Sequence, residues 1–419
     1  MNGGSETNPT PSGAPPETSP TARESKPVVR RRGGRRRTYV AIGAVVVVVI
    51  LVAVGAVTSW YGLEKGSAAC PSGITLQGDG AAIALPLMGV WTTSFQSSSG
   101  SCVNYPGTGS GTGLTKFTDK SVDFAMTDDP LSANQTKDLP APALTLPFIG
   151  GALAIIYNLP GVSGHLNLTG AVLTEIYNGS VTTWNNAAIV ALNPGASLPS
   201  QTIVPVVRSD SAGTTFVLSD FLSQSSPWWA KNVGKGISIK FPHVAAETAE
   251  RGNPTMITTV TGTEYSIGYS DLTDVLESAP TPQYAAIQNP AENYIVPTLA
   301  NTEQAIADKV HSMTTIPASN GNWYGVSMVN ANGSADYPLA TFLYMFVYQA
   351  TDQGFAPTLE KSEVLVAWLN WTLTKGQTLA DQTSPIPLYY APLPAPILAV
   401  DRAGIQTMTF DGASIPTSS

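Results

Sequence analysis

The chain has 419 residues, of which 43% are hydrophobic and only 12% are charged. This length fits two or three domains, and the apolar content is sufficient for a core, which excludes a chain that is disordered throughout. The net charge of -8 is unevenly distributed, because residues 1–37 hold 8 of the 21 basic and 3 of the 29 acidic residues. The rest carries 13 basic against 26 acidic residues, a net of -13, which excludes the basic surface that nucleic-acid binding needs.

The N-terminal segment combines a basic tail with an apolar run. Residues 1–37 are rich in Pro, Gly, Ser, Thr and Arg, a composition that predicts a disordered tail. No charged residue lies between Arg37 and Glu64, and residues 40–57 within this gap are almost entirely apolar. This run matches the ~20 residues that cross the hydrocarbon of a bilayer. We therefore predict a transmembrane anchor at residues 38–61, followed by a linker at 62–72.

The charge asymmetry around the apolar run predicts its orientation. Arginines cluster on its N-terminal side, ending at Arg37, and positive flanks stay in the cytoplasm. The prediction is a single-pass protein of the cell membrane, with its N-terminus in the cytoplasm and its main body outside. The alternative is a cleaved signal peptide, in which the apolar region is normally ~7–15 residues and the basic region is short.

The two cysteines, Cys70 and Cys102, lie in the part that is predicted to be outside. Thiols in exported proteins are commonly oxidised to disulfides. A Cys70–Cys102 bridge would close a loop of about 32 residues and stabilise the fold by roughly 3–4 kcal/mol. Two unrelated thiols are the alternative, and we favour the disulfide.

From Gly73 onward, strand and helix patterns alternate. The alternation of Val122, Phe124 and Met126 predicts a strand that ends at Asp128 and Asp129. Helical spacing of apolar residues recurs near residues 87–95, 169–178, 214–221 and 365–369. Strands that alternate with helices predict an α/β fold with mostly parallel sheets covered by helices.

Three turns rich in small residues each lead into a predicted helix: residues 78–83, 107–113 and 208–215. Such turns leave backbone N–H groups free at a helix N-terminus, where an anion is favoured. The third turn holds Arg208, one of three arginines after residue 37, and a guanidinium suits an oxyanion. A purely structural alternative is that Arg208 pairs with Asp210 or Asp220. No turn contains a nucleotide-binding glycine motif.

Several stretches, taken in order, resemble the PstS-type phosphate-binding proteins of ABC phosphate importers. They are residues 103–111 (VNYPGTGSG), 122–131 (VDFAMTDDPL), 157–161 (YNLPG), 166–170 (LNLTG), 183–185 (TWN), 192–195 (LNPG), 208–214 (RSDSAGT), 266–269 (SIGY), 337–339 (YPL) and 390–394 (YAPLP). The resemblance covers roughly residues 73–395. It implies a two-lobed periplasmic-binding-protein fold of type II, with lobe I formed by 73–150 and 338–419 and lobe II by 151–337.

The resemblance also implies a function and a set of site residues. The body would capture inorganic phosphate in the cleft between the lobes and deliver it to the permease subunits of an ABC importer, without a cofactor. The implied phosphate-binding positions are Ala82, Ile83, Ser110, Asp128, Arg208, Ala212, Gly213 and Thr214, with Asp210 bracing Arg208. At Ala82 and Ala212 the family usually has a hydroxyl residue, so here only the backbone N–H of each is expected to remain. Ser211, Thr112 or Thr215 could compensate for the missing hydroxyls.

Asp128 suggests how phosphate is distinguished from sulfate. An ionised carboxylate only accepts hydrogen bonds, and phosphate near neutral pH offers an O–H that fully ionised sulfate lacks. The alternative functions are a surface interaction or sensor module, using the pair Trp228-Trp229, and a binder of another oxyanion. An enzyme is not predicted, because neither metal-ligand spacing among the three histidines nor a nucleophile motif is present.

Overall fold

A computed structural model describes residues 70–242, 249–355, 357–381 and 387–416. The predicted tail, the predicted anchor and most of the predicted linker lie outside these residues, and the described residues all belong to the unit Glu64–Ser419. Within the described ranges, no helix is both long enough and apolar enough to cross a membrane.

Fifteen strands are present in the described ranges. They are β1 (Thr75–Gly80), β2 (Cys102–Asn104), β3 (Phe124–Thr127), β4 (Ala143–Tyr157), β5 (Asn167–Leu168), β6 (Val204–Pro205), β7 (Val207–Arg208), β8 (Ala249–Glu250), β9 (Ser266–Asp271), β10 (Gln283–Tyr284), β11 (Ala286–Gln288), β12 (Tyr294–Ile295), β13 (Ala340–Tyr348), β14 (Thr409–Phe410) and β15 (Ala413–Ser414).

Twelve α-helices occur in the same part of the chain. They are α1 (Leu85–Ser99), α2 (Ser110–Thr118), α3 (Ala133–Asp138), α4 (Gly170–Asn178), α5 (Ala187–Leu192), α6 (Gly213–Ser225), α7 (Pro227–Asn232), α8 (Asn253–Gly262), α9 (Leu272–Glu277), α10 (Leu299–Ser312), α11 (Leu359–Trp371) and α12 (Ala395–Ile405). The fold is mixed α/β, as the alternating patterns predict.

The main sheet has eight strands in the order β2-β1-β3-β13-β4-β9-β6, with β10 also paired to β4. Strands β1, β2 and β3 are parallel, whereas β13 runs antiparallel to both β3 and β4, and β9 runs antiparallel to β4. The prediction of mostly parallel sheets is therefore wrong for the central strands of the main sheet. The reason is that the chain passes through the middle of the sheet in β4 and returns in β13.

Strand β4 is unusually long, at 15 residues, and it serves two hydrophobic cores. Its first part pairs with β13 and its last five residues pair with β9. Leu144 to Ile149 pack in a first core with residues from 76–126 and 305–415, and Ala152 to Tyr157 pack in a second core with residues up to 339. Its nearly continuous apolar sequence matches a strand that is buried on both faces.

Helix α10 connects the two cores in a way that the sequence does not indicate. Its buried residues Ala305, Ile306 and Val310 belong to the first core, although they fall within the span predicted as lobe II. Asn301 at its start accepts a hydrogen bond from the Tyr337 N–H through its carbonyl (3.1 Å). Tyr337 itself belongs to the second core.

The predicted disulfide is confirmed: Cys70 and Cys102 are bonded, with their Cα atoms 5.7 Å apart and a sequence separation of 32. We expect the double variant Cys70→Ser, Cys102→Ser to lose about 3 kcal/mol of unfolding free energy, because the unfolded chain regains the entropy of that loop. Urea denaturation should show a lower midpoint for the variant, and a reductant should lower the midpoint of the wild type alone. Equal midpoints without reductant would contradict this expectation.

Candidate functional site

The three small-residue turns meet around one pocket. It lies where elements of the two cores approach each other, because α1 packs in the first core and α6 in the second. All eight residues predicted as phosphate-binding positions line this pocket, together with three others. The lining residues are Ala81, Ala82, Ile83, Gly109, Ser110, Asp128, Arg208, Ala212, Gly213, Thr214 and Asn253.

The first turn places Ala82 and Ile83 at the start of a helical segment. Gly80 adopts a φ of 139°, and a Cβ at this position would lie 2.0 Å from the Met126 carbonyl oxygen, so only glycine fits. The Ala81 N–H donates to that carbonyl (2.8 Å) and thereby ties the turn to β3. A short 3-10 turn at Ala82–Ala84 then leads into α1. This order exposes early helical N–H groups to the pocket.

Asp79, which the sequence reading did not assign, holds the second turn in place. Its carboxylate accepts hydrogen bonds from the N–H and the hydroxyl of Thr108 (2.8 Å each). It also accepts from the Gly80 N–H (2.7 Å) and pairs with Lys116. Burial raises the pKa of Asp79, but Lys116 and these hydrogen bonds outweigh it and hold the pKa below 3.8. The turn is therefore fixed by a permanently charged group.

Ser110 begins α2 directly after this turn. Gly109, with a φ of 110°, donates its N–H to the Gly80 carbonyl (2.7 Å) and so joins the first two turns. The Ser110 side chain is buried, and no partner for its Oγ is found among the described residues. A buried hydroxyl that has no hydrogen-bond partner normally destabilises the folded state. A ligand in the pocket would satisfy it.

Asp128 projects from the end of β3 between the turns. It is only 2% exposed, and its Oδ1 has no partner within the described part of the chain. Gly213 packs so tightly against it that a Cβ there would lie 1.5 Å from Asp128 Oδ2. Burial raises the pKa of Asp128 to about 7, against the opposing effects of its backbone hydrogen bond and of Arg208. The pocket thus contains an acceptor whose charge depends on pH near neutrality.

Arg208 is held from several sides. Its Nε and Nη2 donate to the two carboxylate oxygens of Asp210 (2.7 Å each), a pairing that both the bracing role and the purely structural alternative predict. Its Nη1 donates to Asn253 Oδ1 (2.6 Å) and to Thr214 Oγ1 (3.2 Å). Its backbone N–H donates to the Tyr269 hydroxyl (3.1 Å). Because the Thr214 hydroxyl accepts from Arg208, its own hydrogen can be donated into the pocket.

The two alanines that replace hydroxyl residues have different surroundings. The Ala212 N–H donates to the Ile237 carbonyl (2.9 Å), so this amide is already used within the fold. The expectation that it remains as a donor for the ligand is therefore wrong in this conformation. Thr215 does not compensate either, because its hydroxyl bonds the Tyr269 hydroxyl (2.8 Å). The alternative that Arg208 pairs with Asp220 is also excluded, since Asp220 bonds Lys235 and Ser327.

Asn253 is the pocket residue that the sequence reading missed. It is 1% exposed and stands at the first position of α8, after Gly252 and before Pro254. Asn followed by Pro is a helix-start signal, so the helix boundary could have been predicted. Its place in the pocket could not, because that depends on the parallel pairing of β7 with β8.

Two carboxyl groups outside the pocket lining, Asp129 and Glu277, also have a raised pKa. Burial, with smaller effects of Asp128 and Asp220, raises the pKa of Asp129 to about 7 despite Lys235. Burial and Asp274 raise the pKa of Glu277 to about 7.

Within the described ranges, no group of three or more His, Cys, Asp or Glu side chains is arranged to hold a metal ion.

We expect the ligand-free protein to become less stable as the pH rises from about 4 to about 7. In this window the unfolded chain has already released the protons of Asp128, Asp129 and Glu277, whose ordinary pKa values are 3.8 to 4.5, while the folded protein retains them. Protonation therefore favours the folded state here. Thermal melts at pH 5 and pH 7.5 without phosphate test this. A melting temperature that is constant or rises across this window would contradict it.

Comparison with known proteins identifies the family. The family model of the PBP superfamily domain matches residues 56–375. The phosphate-binding protein PstS of Pasteurella multocida (strain Pm70) is 30% identical over 342 residues, which cover 80% of this chain and 90% of that protein. The chain belongs to the PstS family of phosphate-binding proteins. PstS of Haemophilus influenzae is 28% identical over 355 residues, covering 83% of this chain and 98% of that protein.

Solved structures share the fold of this PstS family member. A high-affinity periplasmic phosphate-binding protein with bound phosphate has a TM-score of 0.58 at 21% identity, covering 79% of this chain and 93% of that chain. The phosphate-binding protein of Stenotrophomonas maltophilia has a TM-score of 0.56 at 18% identity, with 78% and 93% covered. The fold is therefore periplasmic-binding-protein-like.

Proposed function

We propose that this PstS family member captures inorganic phosphate in the pocket formed by the three turns and delivers it to an ABC importer, without itself being an enzyme. The observation that carries the proposal concerns two buried polar atoms, Asp128 Oδ1 and Ser110 Oγ. Neither has a hydrogen-bond partner among the described residues, and both line the same pocket as Arg208. Together they offer one acceptor and several donors. Protonated phosphate, which has one O–H and several acceptor oxygens, matches this set.

The donors proposed for phosphate come from all three turns. The early N–H groups at Ala82, Ile83, Gly213 and Thr214, the hydroxyls of Ser110 and Thr214, and Arg208 would bind its oxygens. Ala212 would contribute shape rather than a hydrogen bond, because its N–H is donated to Ile237. Asp128 would accept the O–H of phosphate and repel fully ionised sulfate.

The two hydrophobic cores support the proposed division into two lobes, residues 73–150 with 338–419 and residues 151–337, except that α10 of the second span packs in the first core. The two hydrophobic cores share strand β4, and the turns on either side touch, with the Gly111 N–H 3.4 Å from the Ser211 carbonyl oxygen. Phosphate would enter when the lobes separate and be enclosed when they close. The anchor at residues 38–61 is proposed to hold this body outside the membrane, on the basis of the charge and hydropathy pattern.

A thermal-shift titration of the full-length chain in mild detergent tests the proposal. At pH 8, phosphate is expected to raise the melting temperature and sulfate is not, because a ligand that binds only the folded state stabilises it by about 2.7 kcal/mol at 100 times its Kd. A shift with sulfate but none with phosphate would indicate a binder of another oxyanion. No shift with any anion would favour the interaction module.

A further inference from the structure

Asn253 contacts the one arginine of the pocket from the side opposite Asp210. Its Oδ1 accepts from Arg208 Nη1 at 2.6 Å, the shortest of the four side-chain hydrogen bonds of Arg208. Its Nδ2 donates to Asp274 Oδ2 at 2.8 Å. Because the amide donates to a carboxylate at one end, its oxygen must face Arg208 at the other.

Counting the hydrogens of Arg208 shows what this contact does. A guanidinium has five N–H groups in one plane. Asp210 takes one on Nε and one on Nη2, and Asn253 takes one on Nη1. The two that remain are the second hydrogen of Nη2, for which the described residues offer no acceptor, and the Nη1 hydrogen that meets Thr214 Oγ1 at 3.2 Å. Because Asp210 occupies the edge formed by Nε and Nη2, the second hydrogen of Nη2 lies on the edge that Nη2 shares with Nη1.

We propose that Asn253 is a positioning residue, which fixes the plane of Arg208 so that its Nη1–Nη2 edge faces the bound anion. This inference rests on the proposed phosphate site and adds to it a residue that acts through Arg208. Asp210 alone holds the opposite edge and leaves Nη1 without an outer partner. With both partners in place, the Nη2 hydrogen that has no acceptor among the described residues faces the anion in one preset geometry, and the Nη1 hydrogen that meets Thr214 Oγ1 can be shared with the anion.

An amide suits this position better than a carboxylate does. Arg208 already faces the carboxylate of Asp210, and Asp128 adds a second buried acidic group nearby. A third carboxylate at position 253 would lie against Asp274 as well and would make the pocket more negative. The neutral amide orients Arg208 without reducing the positive charge that is available to the anion.

Calorimetric titration of the full-length chain with inorganic phosphate tests this role. Asn253→Ala should weaken phosphate binding about tenfold, as expected for a lost hydrogen bond to a charged group. Asn253→Asp should weaken it further. The matched control is Asn193→Ala, which removes a buried asparagine that bonds Asn167 and Ile189 far from the pocket residues. It should lower the melting temperature and leave the Kd unchanged.

A double-mutant cycle separates positioning from general destabilisation. Lysine has a single ammonium group and no plane to orient, so Asn253→Ala should change the Kd less than about threefold in an Arg208→Lys background. An equal loss in both backgrounds, or an unchanged Kd for Asn253→Ala in the wild-type background, would overturn the role of Asn253 while wild-type binding upholds the phosphate site. Absence of phosphate binding by the wild type would overturn both proposals.

Discussion

Arg208→Ala should weaken phosphate binding at least about 100-fold, which corresponds to about 2.8 kcal/mol. Among the residues that the structure describes, Arg208 is the only basic side chain that lines the pocket, and the body carries a net charge of -13 by its sequence. Long-range attraction therefore does not draw the anion in, and short-range donors must hold it. Removing Arg208 also leaves the carboxylate of Asp210 without its partner close to the pocket, which adds repulsion to the lost hydrogen bonds.

The measurement is the phosphate Kd of the full-length chain, obtained by calorimetry for the variant and for a matched control. Arg251→Ala removes the same charge from an exposed side chain two residues before Asn253, outside the pocket lining, and should leave the Kd within about twofold. Arg208→Lys is a second control for misfolding of Arg208→Ala, because it retains the positive charge beside Asp210. Near-native affinity of a folded Arg208→Ala variant would remove Arg208 from the site.

Except for Asn253, the residues that line the pocket lie in the three small-residue turns or at the end of β3, which local patterns in the sequence indicate. Gly80 and Gly109 have positive φ values, and the glycine-rich turns of the sequence indicate such a backbone conformation. Arg208 and Asp210 lie two residues apart, and their pairing needs no knowledge of the fold. Their convergence on one pocket came from the family resemblance, since no local pattern states which turns meet.

Features that depend on contacts between distant segments could not be read in the same way. Asn253 reaches Arg208 only because β8 pairs with β7, and both strands have just two residues. The hydrogen bond from the Ala212 N–H to the Ile237 carbonyl depends on the conformation of a loop, and the sequence of that loop has no periodic pattern. The position of β13 between β3 and β4, antiparallel to both, could not be predicted either. The alternation of strands and helices along the chain does not determine where a later strand enters the sheet.

Asp128→Asn should reduce the preference for phosphate over sulfate at pH 8 by at least about tenfold, or ~1.4 kcal/mol. In the proposed site, an ionised Asp128 would accept the O–H of phosphate and repel sulfate, which has no proton to donate. The amide of asparagine instead donates a hydrogen bond to either anion. Sulfate binding should therefore improve, while phosphate loses the charged acceptor and keeps only the neutral amide oxygen, and an unchanged ratio would contradict this role for Asp128.

The same carboxyl group predicts how selectivity depends on pH. The pKa of Asp128 is raised to about 7 by burial, so most of it is ionised at pH 8 and protonated at pH 5.5. A protonated Asp128 donates a hydrogen bond, as the asparagine does, and sulfate should bind the wild type more tightly at pH 5.5 than at pH 8. In Asp128→Asn this dependence should largely disappear.

Asp129→Asn provides the matched control for both measurements. Asp129 is the next residue, is also buried and has a pKa of about 7, yet it does not line the pocket. Its replacement removes a neighbouring charge of the same kind and should leave the sulfate affinity pH-dependent. If Asp129→Asn flattened that dependence as much as Asp128→Asn does, selectivity would come from the net charge near the pocket. A difference between the two variants would instead locate it in the single hydrogen bond that Asp128 Oδ1 makes with the anion.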